Sequence, residues 1–422
     1  MQLKYGLEDK PPRSEMLVFG LQWLAVTIPT ILIIGAVIGS IQGGSYILYI
    51  QKLLILTGIM ILVQVLWGHK MPLVIGPATV LLIGVLATLD QGMGAINTSL
   101  IIGGLVLAIL AGSGLFKYVQ KLFTPRVVMV ILMLIAFTLS PTILNLITAG
   151  DVALPSSNFV FALILVFAAF IAHGLLKGLW KSTLPLWIMA VGSLAYYGIF
   201  KTVPQVSGLS ALAIPGNFIA PLSIPYPGVI IAFLICFLAL AINDLGSIQA
   251  VGSLLNADEM EKRVKKGITL TGAGNALAGF IGVIGPVDYS MSPGIIAATE
   301  CASRFTMIPA AVGLIILAFS PLAIGFISSI PSPVIGTVLI YIMTAQIGAA
   351  LLLAIESNAI KSMDDGFIIG LPIILATVVA FLPTSVSSQI PTIIKPIIAN
   401  GFVMGVLAVL VMEHVIYRKK LH

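Results

Sequence analysis

Apolar runs recur along the whole chain with short polar breaks between them, and a run of about 20 residues is what a helix needs to cross roughly 30 Å of hydrocarbon. The pattern predicts an all-α polytopic membrane protein with fourteen segments, near 16–40, 50–67, 72–89, 98–116, 127–147, 158–176, 183–200, 228–255, 266–284, 291–302, 306–329, 333–353, 367–383 and 396–416. The longest polar break, Pro-rich, runs from Lys201 to Gly228 and divides seven spans from seven. It gives a first repeat over 1–200, an extracytoplasmic connection over 201–227 and a second repeat over 228–422. An odd number of spans per half makes the second half enter the membrane from the opposite side, which is the arrangement of an inverted repeat.

The third span of each half breaks the apolar pattern in the same way. GHKMPLVIGPATVLL carries Gly76-Pro77-Ala78, and GPVDYSMSPGIIAAT carries Ser292-Pro293-Gly294. Proline is tolerated in the first turn of a helix, where its missing N–H would have had no partner, and small neighbours let another group approach the backbone. Spans three and ten are therefore expected to be half-helices that start inside the membrane. Their positive N-terminal ends, entering from opposite sides, would face a shared site for an electronegative substrate. Ordinary proline kinks are the alternative, and the matched positions in the two halves weigh against it.

Composition supports the membrane reading, because 59% apolar and 9% charged residues leave too little polar surface for a soluble globule of 422 residues. The first fifteen residues mix both charges with two prolines, unlike a secretory signal, and are expected to stay attached. Alternating the spans from an inside N-terminus leaves Lys52, Lys201 and Lys395 outside and the other eighteen of the 21 Lys and Arg inside. The net charge of +6 then reflects topology, with both termini cytoplasmic, and no nucleic-acid surface.

A carboxylate at the bilayer centre costs about 2.5–3.5 kcal/mol even on a lenient scale, so deep acids stand out. Asp244 in the eighth span and Asp288 before the tenth half-helix are the two. Asn243, Asp244 and Ser247 share one helical face, where Asp244 could bind substrate, carry a proton or do both. The competing reading for each acid is a structural aspartate bonded to the exposed backbone of a half-helix.

The remaining polar signals have plainer readings. Cys236 and Cys301 read as small buried hydrophobes, and His173 as a satisfied interface histidine. Trp67, Trp180 and Trp187 read as interfacial anchors. TGAGNALAG, Thr271 to Gly279, lacks dinucleotide-loop spacing and reads as a close-packed helix face. Asp364-Asp365 fall in an inner loop, where solvation accounts for them. No H-E-x-x-H, P-loop or serine-histidine arrangement marks an enzyme, and no metal-ligand spacing is present.

YGLEDKPP (Tyr5 to Pro12), GLQ (Gly20 to Gln22), TGIMILVQ followed by Gly68, Pro72 and Gly76, GVIGPVDYSMSPGIIAATECASR (Gly282 to Arg304) and IPSPVIG (Ile330 to Gly336) occur in that order. In this sequence order they resemble the nucleobase-ascorbate transporters, the family that includes uracil and xanthine permeases. The resemblance implies a core domain from spans 1–4 and 8–11, a gate domain from spans 5–7 and 12–14, a homodimer in the cell membrane, and uptake coupled to H+ or Na+ without any other cofactor. Four positions depart from the family pattern. Asn243 stands where the family commonly has a glutamate that grips ring N–H groups, Met291 and Ser292 stand where it usually has Glu or Gln followed by Asn, and Trp23 replaces a common histidine.

The expectation is a symporter for a nucleobase such as uracil or xanthine, or a related small heterocycle. Its substrate-binding candidates are Asn243, Asp244, Pro77, Ala78, Met291, Ser292 and Gly294, and its ion-coupling candidates are Asp244 and Asp288. The competing expectation is a transporter of sulfate, bicarbonate or dicarboxylate on the same architecture.

Overall fold

The computed structural model describes residues 3–42, 46–150, 153–203 and 209–417. Arg418, Lys419 and Lys420, counted above on the inner side, and residues 204–208 of the central connection lie outside the described residues. In chain order the first half contains helices α1 (Arg13–Gln42), α2 (Tyr46–Leu66), α3 (Thr79–Ala87), α4 (Met93–Gly112), α5 (Phe116–Gln120), α6 (Pro125–Thr138), α7 (Ser140–Ile147), α8 (Pro155–Leu175), α9 (Gly178–Ser182) and α10 (Leu184–Phe200). The second half contains α11 (Pro227–Leu255), α12 (Met260–Ile281), α13 (Ser292–Thr299), α14 (Met307–Ala318), α15 (Pro321–Ser328), α16 (Ser332–Glu356), α17 (Met363–Ala380), α18 (Thr384–Ser387), α19 (Lys395–Ile398) and α20 (Gly401–Val411). Two short strands, β1 (Ile75–Pro77) and β2 (Pro286–Asp288), precede α3 and α13.

Every expected segment contains helix, but their lengths differ. Among the described residues eight helices, with 125–147 taken as one, are long and apolar enough to cross a membrane, and a bent pair makes up to nine. The expected third and tenth spans are short helices of nine and eight residues behind an extended strand. The expected single span at 306–329 is instead two helices, α14 and α15, bent by 99°. Ser320 causes the break: its hydroxyl accepts the Ala323 N–H and Pro321 follows at the first turn, so the chain stops one helix and caps the next.

Helix starts follow the same chemistry elsewhere. Thr124 caps α6, Asn400 accepts from Phe402 and Val403 at the head of α20, and Ser362 with Asp365 forms a capping box on α17. Asp365 corrects the solvation reading given to Asp364-Asp365. It is buried and ion-paired to Arg126, which also grips Glu413 at 2.8 Å. A half-buried guanidinium with two buried carboxylates thus ties α6, α17 and the turn that follows α20.

TGAGNALAG does pack closely. A Cβ on Gly272 would lie 2.5 Å from the Ala108 nitrogen, one on Gly279 2.6 Å from the Asn97 carbonyl, and one on Gly104 2.4 Å from the Ala276 nitrogen, so α4 and α12 touch backbone to backbone. The extended chain at 209–226 lies across helix ends, held by Ser223 N–H to the Gly94 carbonyl (3.2 Å) and Ala220 N–H to the Phe280 carbonyl (2.9 Å). Its prolines keep it from continuing as helix. At the other end of the chain, YGLEDKPP straps onto the segment after α13: Ala302 N–H bonds the Tyr5 carbonyl (2.9 Å), and Arg304 pairs with Glu8 (2.7 Å).

Candidate functional site

β1 and β2 pair antiparallel, with Ile75 opposite Asp288, Gly76 opposite Val287 and Pro77 opposite Pro286. The Ala78 N–H extends this ladder to the Gly285 carbonyl (2.9 Å), and Tyr289 N–H closes its other end on the Val74 carbonyl (2.8 Å). Extended backbone at membrane depth persists only where its polar groups find partners, and here the two half-helix units supply them to each other. Gly76 is required at the crossing: a Cβ there would stand 2.6 Å from the Tyr289 ring and 2.9 Å from Thr30 Oγ1. The Tyr289 hydroxyl donates to the Pro77 carbonyl at 2.6 Å.

Helix α11 covers the free edge of β2. The polar face expected from Asn243, Asp244 and Ser247 is present, and all three side chains meet the main chain of Asp288. Asp244 Oδ1 accepts its N–H at 2.7 Å, while Ser247 Oγ and Asn243 Nδ2 donate to its carbonyl at 2.9 and 3.2 Å. Asp244 Oδ2 is buried without a hydrogen bond. Asn243 is half-buried, and its Nδ2 is committed to the strand, so Oδ1 is the atom it can offer a ring N–H.

Ser292 is buried, accepting the Val74 N–H at 2.9 Å and donating to the Tyr289 carbonyl at 3.0 Å. Gly294 is exposed, and a Cβ there would meet nothing within 4 Å. Pro77 and Ala78 are buried at the strand crossing. Met291 faces a crevice of about 10 Å³, room for about one water, lined with it by Val26, Pro29, Thr30, Thr183, Pro185 and Ile342 among others. The crevice separates α1 and the start of α13 from α10 and α16, and it is nearly shut.

A larger cavity of about 690 Å³ lies elsewhere, beneath the 209–226 connection, lined by Tyr49, Lys52, Asn97, Ala220 and Gly282 among others. None of the expected substrate residues lines it, whereas one of them, Met291, lines the small crevice.

Sequence reasoning missed Thr30 and Thr183, which only the fold brings to Met291, and it missed His69. His69 Nε2 stands 3.5 Å from Asp288 Oδ1, and both side chains are buried. The available signal was a histidine in GHKMPLVIGPATVLL matched to an aspartate in the corresponding segment of the other half. Two other readings hold: His173 Nδ1 pairs with the Tyr341 hydroxyl at 2.8 Å, and both cysteines are buried and free. Trp23, the departure in span one, is buried and donates from Nε1 to the Thr306 hydroxyl at 3.0 Å, fastening α1 to the start of α14.

The family model of xanthine/uracil permeases, described as the Permease family, matches residues 14–385. A candidate purine permease of Clostridium perfringens is 26% identical over 437 residues, covering 99% of this chain and 93% of the relative. The uric acid permease PucK of Bacillus subtilis is 24% identical, covering 84% and 85%, and nucleobase-ascorbate transporter 2 of Arabidopsis thaliana is 23% identical, covering 88% and 78%. Among solved structures, the transmembrane domain of the cyanobacterial bicarbonate transporter BicA superposes with a TM-score of 0.65 at 16% identity, over 86% of this chain and 95% of that one. SLC26A9 superposes with a TM-score of 0.64 at 12% identity, over 97% and 66%. At these identities the structural likeness shows the fold alone.

Proposed function

This chain belongs to the xanthine/uracil permease family, and from that premise we propose that it is a secondary active symporter of a nucleobase, or a related small heterocycle, driven by H+ or Na+. Relatives named for purines and uric acid favour an oxopurine such as xanthine over uracil. The observation that carries the reading is the pair of crossed strands, each leading into a short helix, with Met291 at the start of the second one facing a closable crevice.

An oxopurine presents carbonyl oxygens and ring N–H groups on one plane. Asn243 Oδ1 would accept a ring N–H, and the N-terminal ends of α3 at Ala78 and of α13 at Gly294 would favour the carbonyls. Pro77 and Ser292 would hold those ends in place, Ser292 through its bonds to Val74 and Tyr289. Asp244, with one oxygen bonded to the Asp288 N–H and the other unpaired, is the coupling acid, and Asp288 is the reserve.

On this reading fourteen segments form a 7+7 inverted repeat, split by the 201–227 connection. The core (spans 1–4 and 8–11) moves against the gate (spans 5–7 and 12–14) in a homodimer of the cell membrane with cytoplasmic termini. The crevice between α1 and α13 on one side and α10 and α16 on the other is where that motion would open and close the site.

A second reading, transport of bicarbonate, sulfate or a dicarboxylate, draws on Asn243, which removes a negative charge that would repel an anion. Thermal shift of the purified protein separates the two, since a ligand at about 100 times its Kd adds roughly 2.7 kcal/mol of apparent stability. Xanthine, uric acid and uracil are expected to raise the melting temperature while bicarbonate and sulfate leave it unmoved. The reverse pattern would replace the first reading with the second.

A further inference from the structure

The cavity of about 690 Å³ beneath the 209–226 connection shares no residue with the crevice beside Met291. Its size falls in the range of small-molecule sites, roughly 300–1,000 Å³. Its roof is fixed in place. Ala220 N–H bonds the Phe280 carbonyl of α12, Ser223 N–H the Gly94 carbonyl of α4, and Ala213 N–H the Phe319 carbonyl at 2.9 Å. Gly282, at a φ of +79°, lets the roof settle on the end of α12, since a Cβ there would lie 2.8 Å from the Ala220 Cβ.

One wall carries a lysine. Lys52 of α2 is only 8% exposed, and its Nζ gives one N–H to the Ile281 carbonyl at 3.0 Å. An ammonium has three donors, so two remain. No carboxylate pairs with it among the described residues. Asp90, next to the cavity residue Leu89, is taken by Lys395 at 2.5 Å. A cation in such a place is costly until a counter-charge joins it.

Tyr49 stands one turn from Lys52 on the same face of α2. Its hydroxyl accepts the Ile284 N–H at 3.1 Å, which leaves its own O–H to donate. Across the cavity Asn97 of α4 is 2% exposed; its Nδ2 donates to the Pro221 carbonyl of the roof at 3.2 Å, and its Oδ1 makes no hydrogen bond. A buried amide oxygen left this way asks for a donor. Leu48, Leu89, Met93 and Ile219 supply apolar lining between these groups.

We propose that this cavity is a binding site for an amphipathic anion. Its carboxylate or phosphate oxygens sit on Lys52 Nζ and the Tyr49 hydroxyl, and its apolar part packs against the leucines, Met93 and Ile219. Any N–H or O–H it carries turns toward Asn97. A free organic acid and the headgroup of an anionic lipid offer the same chemistry. Bound there, the anion ties α2 to the connection that roofs the cavity, and it does so whatever substrate the protein carries.

The test follows thermal melting of the purified full chain with benzoate, with its neutral counterpart benzamide, and with phosphatidylglycerol or phosphatidylcholine added to the detergent. Benzoate or phosphatidylglycerol is expected to raise the melting temperature, and benzamide and phosphatidylcholine to leave it unmoved. A response to benzoate alone assigns the site to free acids, and one to phosphatidylglycerol alone to lipid. Lys52→Met is expected to weaken the responding probe about tenfold or more, as loss of a charge-assisted hydrogen bond does. Ser292→Leu, altered at the strand crossing, is expected to keep the anion response in full. No response to either anion, an equal response to the neutral probes, or an undiminished response in Lys52→Met overturns the proposal. Loss of the response in Ser292→Leu overturns it too, by placing the anion at the substrate crevice. A wild type that answers to the anion and not to any nucleobase leaves this site standing and removes the nucleobase reading. Should Lys52→Met fail to fold, Ile219→Glu decides, since this roof residue is 70% exposed and tolerates replacement. The added carboxylate is expected to suppress the anion response, and an unchanged response overturns the proposal.

Discussion

Ser292 begins the second short helix, yet its hydroxyl is used up by the protein: it takes the Val74 N–H and gives its proton to the Tyr289 carbonyl. Ser292→Ala would leave the buried Val74 N–H unpaired, at a cost of about 1–3 kcal/mol. That variant is expected to melt earlier than wild type while keeping a xanthine-dependent rise in melting temperature. Ser292→Leu must fit a longer side chain into a fully buried spot at the strand crossing, and is expected to lose ligand response altogether. A wild-type ligand response in the leucine variant would place the substrate away from the α13 end. The sequence made this serine visible by its setting beside Pro293 and Gly294; its partners depend on a strand 218 residues away and could not be read locally.

Longer stretches of the chain were legible where one physical signal dominates. Apolar runs of helical length marked the long helices but not the short α5, α9 and α18 between them, and small-Pro-small steps marked the two places where extended chain turns into a short helix. What stayed hidden depends on contacts between distant segments: the β1–β2 pairing itself, the meeting of His69 with Asp288, and the burial of Asp365 under Arg126. The 99° break between α14 and α15 was written locally as Ser320-Pro321, but the apolar run continues through it and masked the stop. Glycine pattern, by contrast, marked the α12 face as close-packed, while its partner α4 is a contact between distant segments. Gly104→Ala would put a Cβ 2.4 Å from a backbone nitrogen, which no rotamer relieves, whereas at Gly112 the nearest atoms are the Thr269 side chain at 3.6 Å. Gly104→Ala is expected to destabilise by about 1–3 kcal/mol, as overpacking does, and Gly112→Ala to melt within error of wild type. Equal melting temperatures for the two variants would mean that α4 and α12 stand further apart than this.

On the symport proposed above, coupling belongs to the protein acting as one machine, because a proton gained at the strand crossing would have to be linked to movement of the proposed core against the proposed gate. If the buried carboxylates take one proton inward with a neutral nucleobase, one net charge crosses per cycle, and about 100 mV supplies roughly 2.3 kcal/mol. At about 1.4 kcal/mol per tenfold, that supports about fifty-fold accumulation before any pH gradient is counted. A monoanion moving with one proton would be electroneutral, so collapsing the potential with a potassium ionophore would leave its accumulation unchanged. Asp244→Asn separates the possibilities further. The amide oxygen can still accept the Asp288 N–H that Asp244 Oδ1 accepts at 2.7 Å, so the strand stays held, but the group can no longer take up and release a proton. In proteoliposomes with an imposed potential and no pH gradient, wild type is expected to concentrate xanthine and Asp244→Asn only to equilibrate it. Potential-driven accumulation that persists in the mutant would remove Asp244 from coupling and leave Asp288, with His69 beside it, as the group that carries the charge.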